Sequence, residues 1–341
     1  REYKSEYGLV DYTDMLEKFL TEAAVPSLDA LIIDEAQDLS ALQWDVLQIV
    51  ARRTERVYVA GDDDQAIFTW AGADVSQFID IQGRQRVLSQ SYRLPKKVYD
   101  KSREILRRIS RRREKKFLPV DVPGELSHHM DVRELDMSSG EWLILARNNY
   151  LLEDVEEFCR QQGYVYQSRS WNPQLSDEIY AIRLWEHLRK GHSIPATEAK
   201  TVYRYISAGV GIKGGSKNLS SLKLDGVVNL GDLKESHGLL VDSIWHHSLD
   251  RISGENKLYY VSVLRRGENL TKTPRIKIST IHGAKGGESD NVVLLTDMSY
   301  RTWTESHKRP NDEDRVFYVG VTRSKSALRI IEPRGERAYQ I

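Results

Sequence analysis

Ala30 to Gln65 reads ALIIDEAQDLSALQWDVLQIVARRTERVYVAGDDDQ. Ala30-Leu31-Ile32-Ile33 is a short, wholly apolar run that ends in acids, the pattern of a buried parallel strand. Ser40 to Arg53 puts Leu42, Val46, Leu47 and Val50 on one helical face, with Asp38 or Ser40 as its cap, and Arg56 to Ala60 reads as a second strand running into Gly61. Strand, helix, strand implies a parallel α/β sheet, and in such sheets functional groups collect at the carboxyl ends of the strands. Asp34-Glu35 and Asp62-Asp63-Asp64 both stand at that edge.

Upstream, Asp11 to Ala24 reads as an amphipathic helix capped by Asp11, with Met15, Leu16, Phe19 and Leu20 at helical spacing. Downstream the alternation recurs: Trp142 to Ala146 as strand, Leu151 to Gln162 as helix ended by Gly163, and Tyr164 to Gln167 as strand. It resumes with strands at Ile276 to Thr280 and Asn291 to Thr296, a helix around Asp312 to Arg323, and a strand at Ala327 to Ile331. These two stretches are expected to form one α/β domain. Between them lie helical patterns at Asp177 to Lys190 and Thr197 to Ile206 and a glycine-rich loop from Gly209 to Gly215, read as an inserted, mainly helical subdomain.

The 341 residues, 40% of them hydrophobic, suffice for two or three packed cores. Lys+Arg and Asp+Glu number 50 each, so the overall charge gives no argument for a polyanionic partner. One local patch stands out: Arg93 to Lys116 holds twelve basic residues against three acidic ones, including Arg111-Arg112-Arg113. It reads either as a solvated helix face or as a phosphate-tracking surface. Cys159 is the one cysteine, which excludes an intramolecular disulfide and suits a small buried hydrophobe. No run of about 18 apolar residues and no signal-peptide pattern occurs, so a soluble, intracellular protein without a membrane partner is expected.

At a nucleotide site, a first strand-end carboxylate holds Mg²⁺ and a second polarises the attacking water. Asp34-Glu35-Ala36-Gln37-Asp38 has residues for both tasks, and equally for a capped helix start with solvated acids. Gln65 offers an uncharged group able to bond a terminal phosphate. Phe68 and Trp70 alternate so as to share one face, where they would be either core aromatics or a platform on which bases stack. His128-His129 and His246-His247 have no companion ligands at metal spacing and read as surface.

DEAQD (34–38), GDDDQAIFTWAGA (61–73), SQSYRLP (89–95), TIHGAKGGESDNVVL (280–294) and DRVFYVGVTRSKSAL (314–328) occur in this order, and DYTDML (11–16) precedes them. Together they resemble the motifs of UvrD/Rep-like superfamily 1 DNA helicases, over residues 9 to about 167 and 275 to 331. The resemblance implies RecA-like domains: a partial first one at 1–88, a second at 89–172 plus 272–341, and an inserted accessory subdomain at 173–271. It implies ATP and Mg²⁺ as cofactors, with Asp34 on the metal, Glu35 as general base, Gln37 at the nucleotide and Gln65 sensing the terminal phosphate. Tyr92 would stack on adenine, Arg93 and Arg323 would be arginine fingers, and Gly286 and Glu288 would meet the nucleotide, Glu288 at its ribose. Phe68, Trp70, Thr280 and His282 would contact single-stranded DNA or a single-strand/duplex junction. The implied activity is ATP-driven 3′→5′ translocation by an intracellular, DNA-associated protein, with the insert available to a protein partner. Gly287 stands where the family usually has leucine, and Ala71 replaces a common arginine.

A Walker loop needs glycines followed by Lys and Ser/Thr, and no G-x-x-x-x-G-K-[ST] occurs in the chain. In the family that loop precedes DYTDML, and the sequence opens on Arg1, so a truncated motor, inactive alone, is the expectation. The alternative is a nucleotide-independent nucleic-acid or protein binding module with a degenerate motor shell. The motor part of a helicase-nuclease is a weaker third reading, since no nuclease carboxylate cluster is recognisable.

Overall fold

The computed structural model describes residues 2–22, 24–214, 219 and 226–341. In chain order the first elements are α1 (Glu2–Tyr7), α2 (Tyr12–Glu22), β1 (Leu28–Ile33), α3 (Ala41–Ala51), β2 (Thr54–Val59), α4 (Val75–Asp80), α5 (Lys96–Leu106) and β3 (Glu125–His129). Then come β4 (Trp142–Ala146), α6 (Glu153–Gln162), β5 (Tyr166–Gln167), α7 (Asp177–Arg189), β6 (Ile194–Pro195), α8 (Ala199–Arg204), β7 (Val227–Val228), α9 (Leu230–Ser236), α10 (Trp245–Ser248) and α11 (Gly254–Arg265). The chain finishes with β8 (Ile276–Thr280), β9 (Ser289–Leu295), α12 (Tyr300–Lys308), α13 (Pro310–Val321) and β10 (Ser324–Ile331). Strands β3, β4, β5, β8, β9 and β10 belong to one six-stranded, all-parallel sheet, the α/β architecture of RecA-like domains.

The chain divides into two compact units, one of Arg1–Val132, Leu145–Leu151 and Thr280–Ile341, the other of Arg133–Ile144 and Leu152–Ser279. In the first, β1 pairs in parallel with β2, Ala30 opposite Arg56 and Ile33 opposite Val59. Ser40 caps α3 through a reciprocal box, its Oγ accepting the Gln43 N–H while Gln43 Oε1 accepts the Ser40 N–H, so the helix opens one residue later than its apolar pattern suggests. Trp44, Phe78, Ile33 and Ala36 close a small core beneath the β1–β2 pair. That core covers one face alone. The expectation of a buried β1 therefore fails: Ile33 is the one buried residue of the strand, and Ile32 is 75% exposed.

The same unit holds β10 between β3 and β9, parallel to both, with Ala327 opposite Glu125 and Asn291. Helix α13 packs on α5 and β9 and is buried from Glu313 to Val321. It starts two residues before the expected Asp312 because Pro310 sits in its first turn, where a missing N–H costs nothing. It stops at Val321, so Arg323 lies just beyond its end, in the turn to β10.

In the second unit, β5 pairs in parallel with β8 and β6 antiparallel with β7, while helices α6 to α11 supply most of the remaining structure. Gly163 ends α6 with φ 69°, and a Cβ there would lie 2.8 Å from the Ser262 carbonyl carbon. Strand β5 is shorter than expected because the Tyr164 N–H turns back to Cys159 O and the Val165 N–H goes to the Glu268 carboxylate. Cys159 is fully buried, and burial pushes its thiol well up. The glycine-rich loop expected to end at Gly215 reaches outside the described residues. No helix among the described residues is long and apolar enough to cross a membrane.

Candidate nucleotide and nucleic-acid site

Strand β1 delivers Asp34 and Glu35 to solvent at its carboxyl end. Glu35 is the one non-glycine among the described residues with positive φ (50°), a left-handed conformation that costs roughly 1–2 kcal/mol in an L-residue. Its carboxylate accepts the Gln37 Nε2–H at 2.5 Å. Gln37 is fully buried, and its Oε1 takes the Asp62 N–H at 2.9 Å, so one amide ties the end of β1 to the end of β2. The approach needs Gly61, where a Cβ would stand 2.5 Å from Gln37 Oε1. The Asp34 Oδ1 accepts the Glu35 N–H at 2.9 Å, and no basic side chain among the described residues pairs with this carboxylate.

Asp62, Asp63 and Asp64 converge closely enough to suggest a cation site. Their six oxygens, however, are all taken by protein donors. Lys115 Nζ bonds Asp62 Oδ1 and Asp63 Oδ1, Gln65 Nε2 bonds Asp62 Oδ2 at 2.7 Å, and the Arg113 N–H bonds Asp63 Oδ2 at 2.8 Å. The Arg112 fork engages both oxygens of Asp64 at 2.7 and 2.6 Å. Burial works against the charged form of Lys115, but Asp62, Asp64 and Asp63 outweigh it and hold the ammonium above its usual value. A metal at these carboxylates would have to compete with the Lys115 ammonium and the Arg112 guanidinium that already neutralise them.

For Arg112, Arg113 and Lys115 these bonds correct the solvated-face reading of the basic run, whereas Lys96, Lys97, Arg107 and Arg108 are exposed as that reading expects. Past Leu106 the chain leaves α5, and Arg112, Arg113 and Lys115 turn inward rather than toward solvent or a phosphate backbone. Arg113 also donates to Ile79 O and Ile81 O, Arg111 pairs with Asp80 at 2.7 Å, and from α13 the buried Arg315 donates to Asp63 O and Arg111 O. Arg112 and Lys115 are the counter-charge of the acidic triplet.

Gln65 links this cluster to α13. Its Oε1 accepts from Arg323 Nη2 at 3.2 Å while its Nε2 donates to Asp62, which fixes the amide orientation. Arg323 is 1% exposed and also donates to Val319 O, Thr322 Oγ1 and Gly287 O. Burial, and after it the neighbouring Arg93, push its guanidinium down to about 10, so it is charged at neutral pH. Arg93 lies 3.6 Å from Glu288, and its Nε is buried without an acceptor. Tyr92 beside it is 90% exposed, Glu288 also faces Lys325, and Gly286 takes φ 81° in the preceding turn. A cavity of about 640 Å³ runs from the Gly61–Gln65 turn to Lys115 and Tyr318, with Arg84, Arg86 and Arg113 in its wall.

A second group lies on the far side of Gln65. Phe68, Trp70 and His282 form a triangle with ring centroids 6.2–6.4 Å apart, and Trp70 is 71% exposed. Lys285 reaches Asp38, donates to Gln65 O at 2.8 Å and sits 5.1 Å over the Phe68 ring, so one ammonium touches the acidic segment, the glutamine segment and the aromatic face. Thr280 is turned inward to accept the Gly283 N–H. The structure thus brings Asp34, Glu35, Gln37, Gln65, Phe68, Trp70, Tyr92, Arg93, Thr280, His282, Gly286, Glu288 and Arg323 into one compact unit. The pairings of Lys115, Arg112, Arg315 and Lys285 were not legible in the sequence because their partners lie 48 to 252 positions away in the chain.

Burial, then the charges of Arg147 and Lys285, push the His282 imidazole down to about 4, and its Nε2 is buried without a partner. An unfolded imidazole near 6.5 binds the proton first, so stability falls as pH drops from about 6.5 through 4. Relative to His282→Phe, the wild type should lose up to about 3 kcal/mol between pH 7 and pH 4. Urea midpoints across that range measure it, and parallel pH curves for the two proteins would contradict a buried neutral histidine.

The parallel sheet is consistent with RecA-like domains, and the acids that follow β1 and β2 lie in the same compact unit as Gln65, Arg93 and Arg323. Residues 2–85 match the UvrD/REP helicase N-terminal domain and residues 256–334 the UvrD-like helicase C-terminal domain, matches that are consistent with a UvrD/Rep-like helicase. It is 22% identical over 302 residues to a probable DNA helicase II homolog of Mycoplasma capricolum, covering 84% of this chain and 40% of that protein. It is 27% identical to the ATP-dependent DNA helicase PcrA of Staphylococcus aureus over 29% of this chain and 14% of that one. With DNA helicase II of Salmonella typhimurium it shares 30% identity over 38% of this chain and 20% of the relative. The chain therefore spans well under half the length of these relatives.

Proposed function

We propose that these residues are the motor portion of an ATP-dependent DNA helicase that moves 3′→5′ along single-stranded DNA or a single-strand/duplex junction. The observation that carries the reading is that Arg323 bonds the oriented Gln65 amide and feels the charge of Arg93, whose Nε is a buried unsatisfied donor, so that a polyanion there would supply the missing acceptor. The domain division proposed with it is 1–88, 89–172 plus 272–341, and the insert 173–271 as a surface for a protein partner. An intracellular, DNA-associated location goes with this function.

Mg²⁺ fits Asp34, whose carboxylate has no competing cation, better than Asp62–Asp64, which Lys115 and Arg112 already neutralise. When bound it would neutralise charge on the transferred phosphoryl group. Glu35, exposed and held by Gln37, takes the proton of the attacking water. Gln65, Arg93 and Arg323 meet the terminal phosphate, Gln37 and Gly286 complete the nucleotide surround, Tyr92 stacks on the base and Glu288 binds the ribose. Phe68, Trp70 and His282 face the DNA bases, with Thr280 ordering the turn that carries His282.

With no Walker loop in its sequence, this chain is expected to bind single strands without turning over ATP. ATP hydrolysis measured with and without oligo(dT), on this chain and on the full product of its gene, tests both halves. Strand-stimulated hydrolysis by the full product, abolished by Glu35→Gln, with none from this chain, is the expected result. A full product that binds strands identically with and without ATP, and never hydrolyses it, would leave the nucleotide-independent binding module instead.

A further inference from the structure

Asp62, Asp63 and Asp64 with Arg112 and Lys115 form a charged cluster that the proposed reaction leaves without a task. Lys115 is its hub: one largely buried ammonium reaches Asp62 and Asp63, and lies 3.0 Å from Asp64. Asp62 in turn accepts the Gln65 Nε2–H at 2.7 Å, and Gln65 Oε1 faces Arg323 at 3.2 Å. The ammonium, carboxylate, amide and guanidinium thus form one continuous line.

An uncharged amide between two groups has two flipped orientations. Here an acceptor on one side and a donor on the other select one of them, with nitrogen toward Asp62 and oxygen toward Arg323. The selection holds while the Asp62 oxygen stays where it is. Asp62 lies on a short turn after β2, and its Oδ1 is shared between Lys115 and the Asp64 N–H. Remove the ammonium, and a half-buried carboxylate beside two buried ones is free to rotate toward water.

We infer that Lys115 is a positioning residue for Gln65: through Asp62 it presents the Gln65 carbonyl oxygen to Arg323. Its relevance to phosphate sensing rests on the proposed motor function, whereas the positioning itself does not. Arg112 cannot substitute, because both of its bonds go to Asp64, whereas the Gln65 Nε2–H is held by Asp62. Arg315 reaches a main-chain carbonyl of the triplet, not the Asp62 carboxylate.

The experiment is ¹H–¹⁵N NMR of the Gln65 side-chain amide in this chain, assigned by its loss in Gln65→Glu. In the wild type the two Nε2 protons should be dispersed and slow to exchange with water. In Lys115→Met they should collapse toward free-glutamine shifts with exchange at least tenfold faster. Lys115→Arg should restore most of the dispersion, a rescue that loss of packing alone does not predict. Asp62→Ala keeps Lys115 paired with Asp63 and Asp64, removes the acceptor of the Gln65 Nε2–H and should loosen the same amide, so the Asp62 link is tested even if Lys115→Met does not fold. Unchanged Gln65 signals in a folded Lys115→Met, or in Asp62→Ala, would overturn the inference. If instead the signals respond as expected while the full gene product never hydrolyses ATP, the positioning survives and the motor function fails.

Discussion

Asp64→Ala should lower the unfolding free energy by about 3–5 kcal/mol, the cost of breaking a buried ion pair from one side. The carboxylate is 1% exposed and takes both arms of the Arg112 fork as well as facing Lys115. Its removal leaves a largely buried guanidinium without an acceptor, and two remaining acids to share one ammonium. Removing both partners should cost much less, because the stranded charge rather than the lost attraction dominates the penalty. Urea unfolding of Asp64→Ala, Arg112→Met and the double variant forms the cycle. A loss below about 1 kcal/mol in Asp64→Ala, the range of an exposed pair, would mean that the cluster is solvated and not a structural clamp.

Binding of oligo(dT) should fall steeply in the Phe68→Ala/Trp70→Ala double variant. Each base stacked on an aromatic contributes roughly 1–3 kcal/mol, so loss of one stacked base weakens binding about 5- to 150-fold and loss of two multiplies the effect. Trp70 is 71% exposed, and its truncation should leave the unfolding midpoint unchanged, which separates lost binding from lost fold. Fluorescence anisotropy at fixed salt measures the affinity; salt must be held because the phosphate part of binding varies with it. An affinity within twofold of wild type would remove the aromatic triangle from the DNA surface and return Phe68 and Trp70 to ordinary packing.

Much of the architecture was legible from periodicity. Strands β4 and β8 occupy the residues expected of them, and α3, α6, α7 and α13 differ by a residue or two where a cap or a proline sets the boundary. Strand β5 shrank because a tertiary acceptor, Glu268, captured one of its N–H groups. Strand β1 read as buried because an apolar run carries no information about whether a second face is covered, and here it is not.

The chain order of hydrophobic and polar residues was enough to place the acids at strand ends and Gln65 after a glycine, since those positions follow from local geometry with periods of two and 3.6 residues. It could not assign the charge runs. Arg111 to Lys116 looks the same in sequence whether it faces water, a phosphate backbone or Asp62–Asp64, because pairing depends on distances across the fold, and Lys115 meets Asp62 from 53 residues away. Folding brings those ions together out of water, where an unpaired charge is costly, and that cost settles which acids and bases belong to each other.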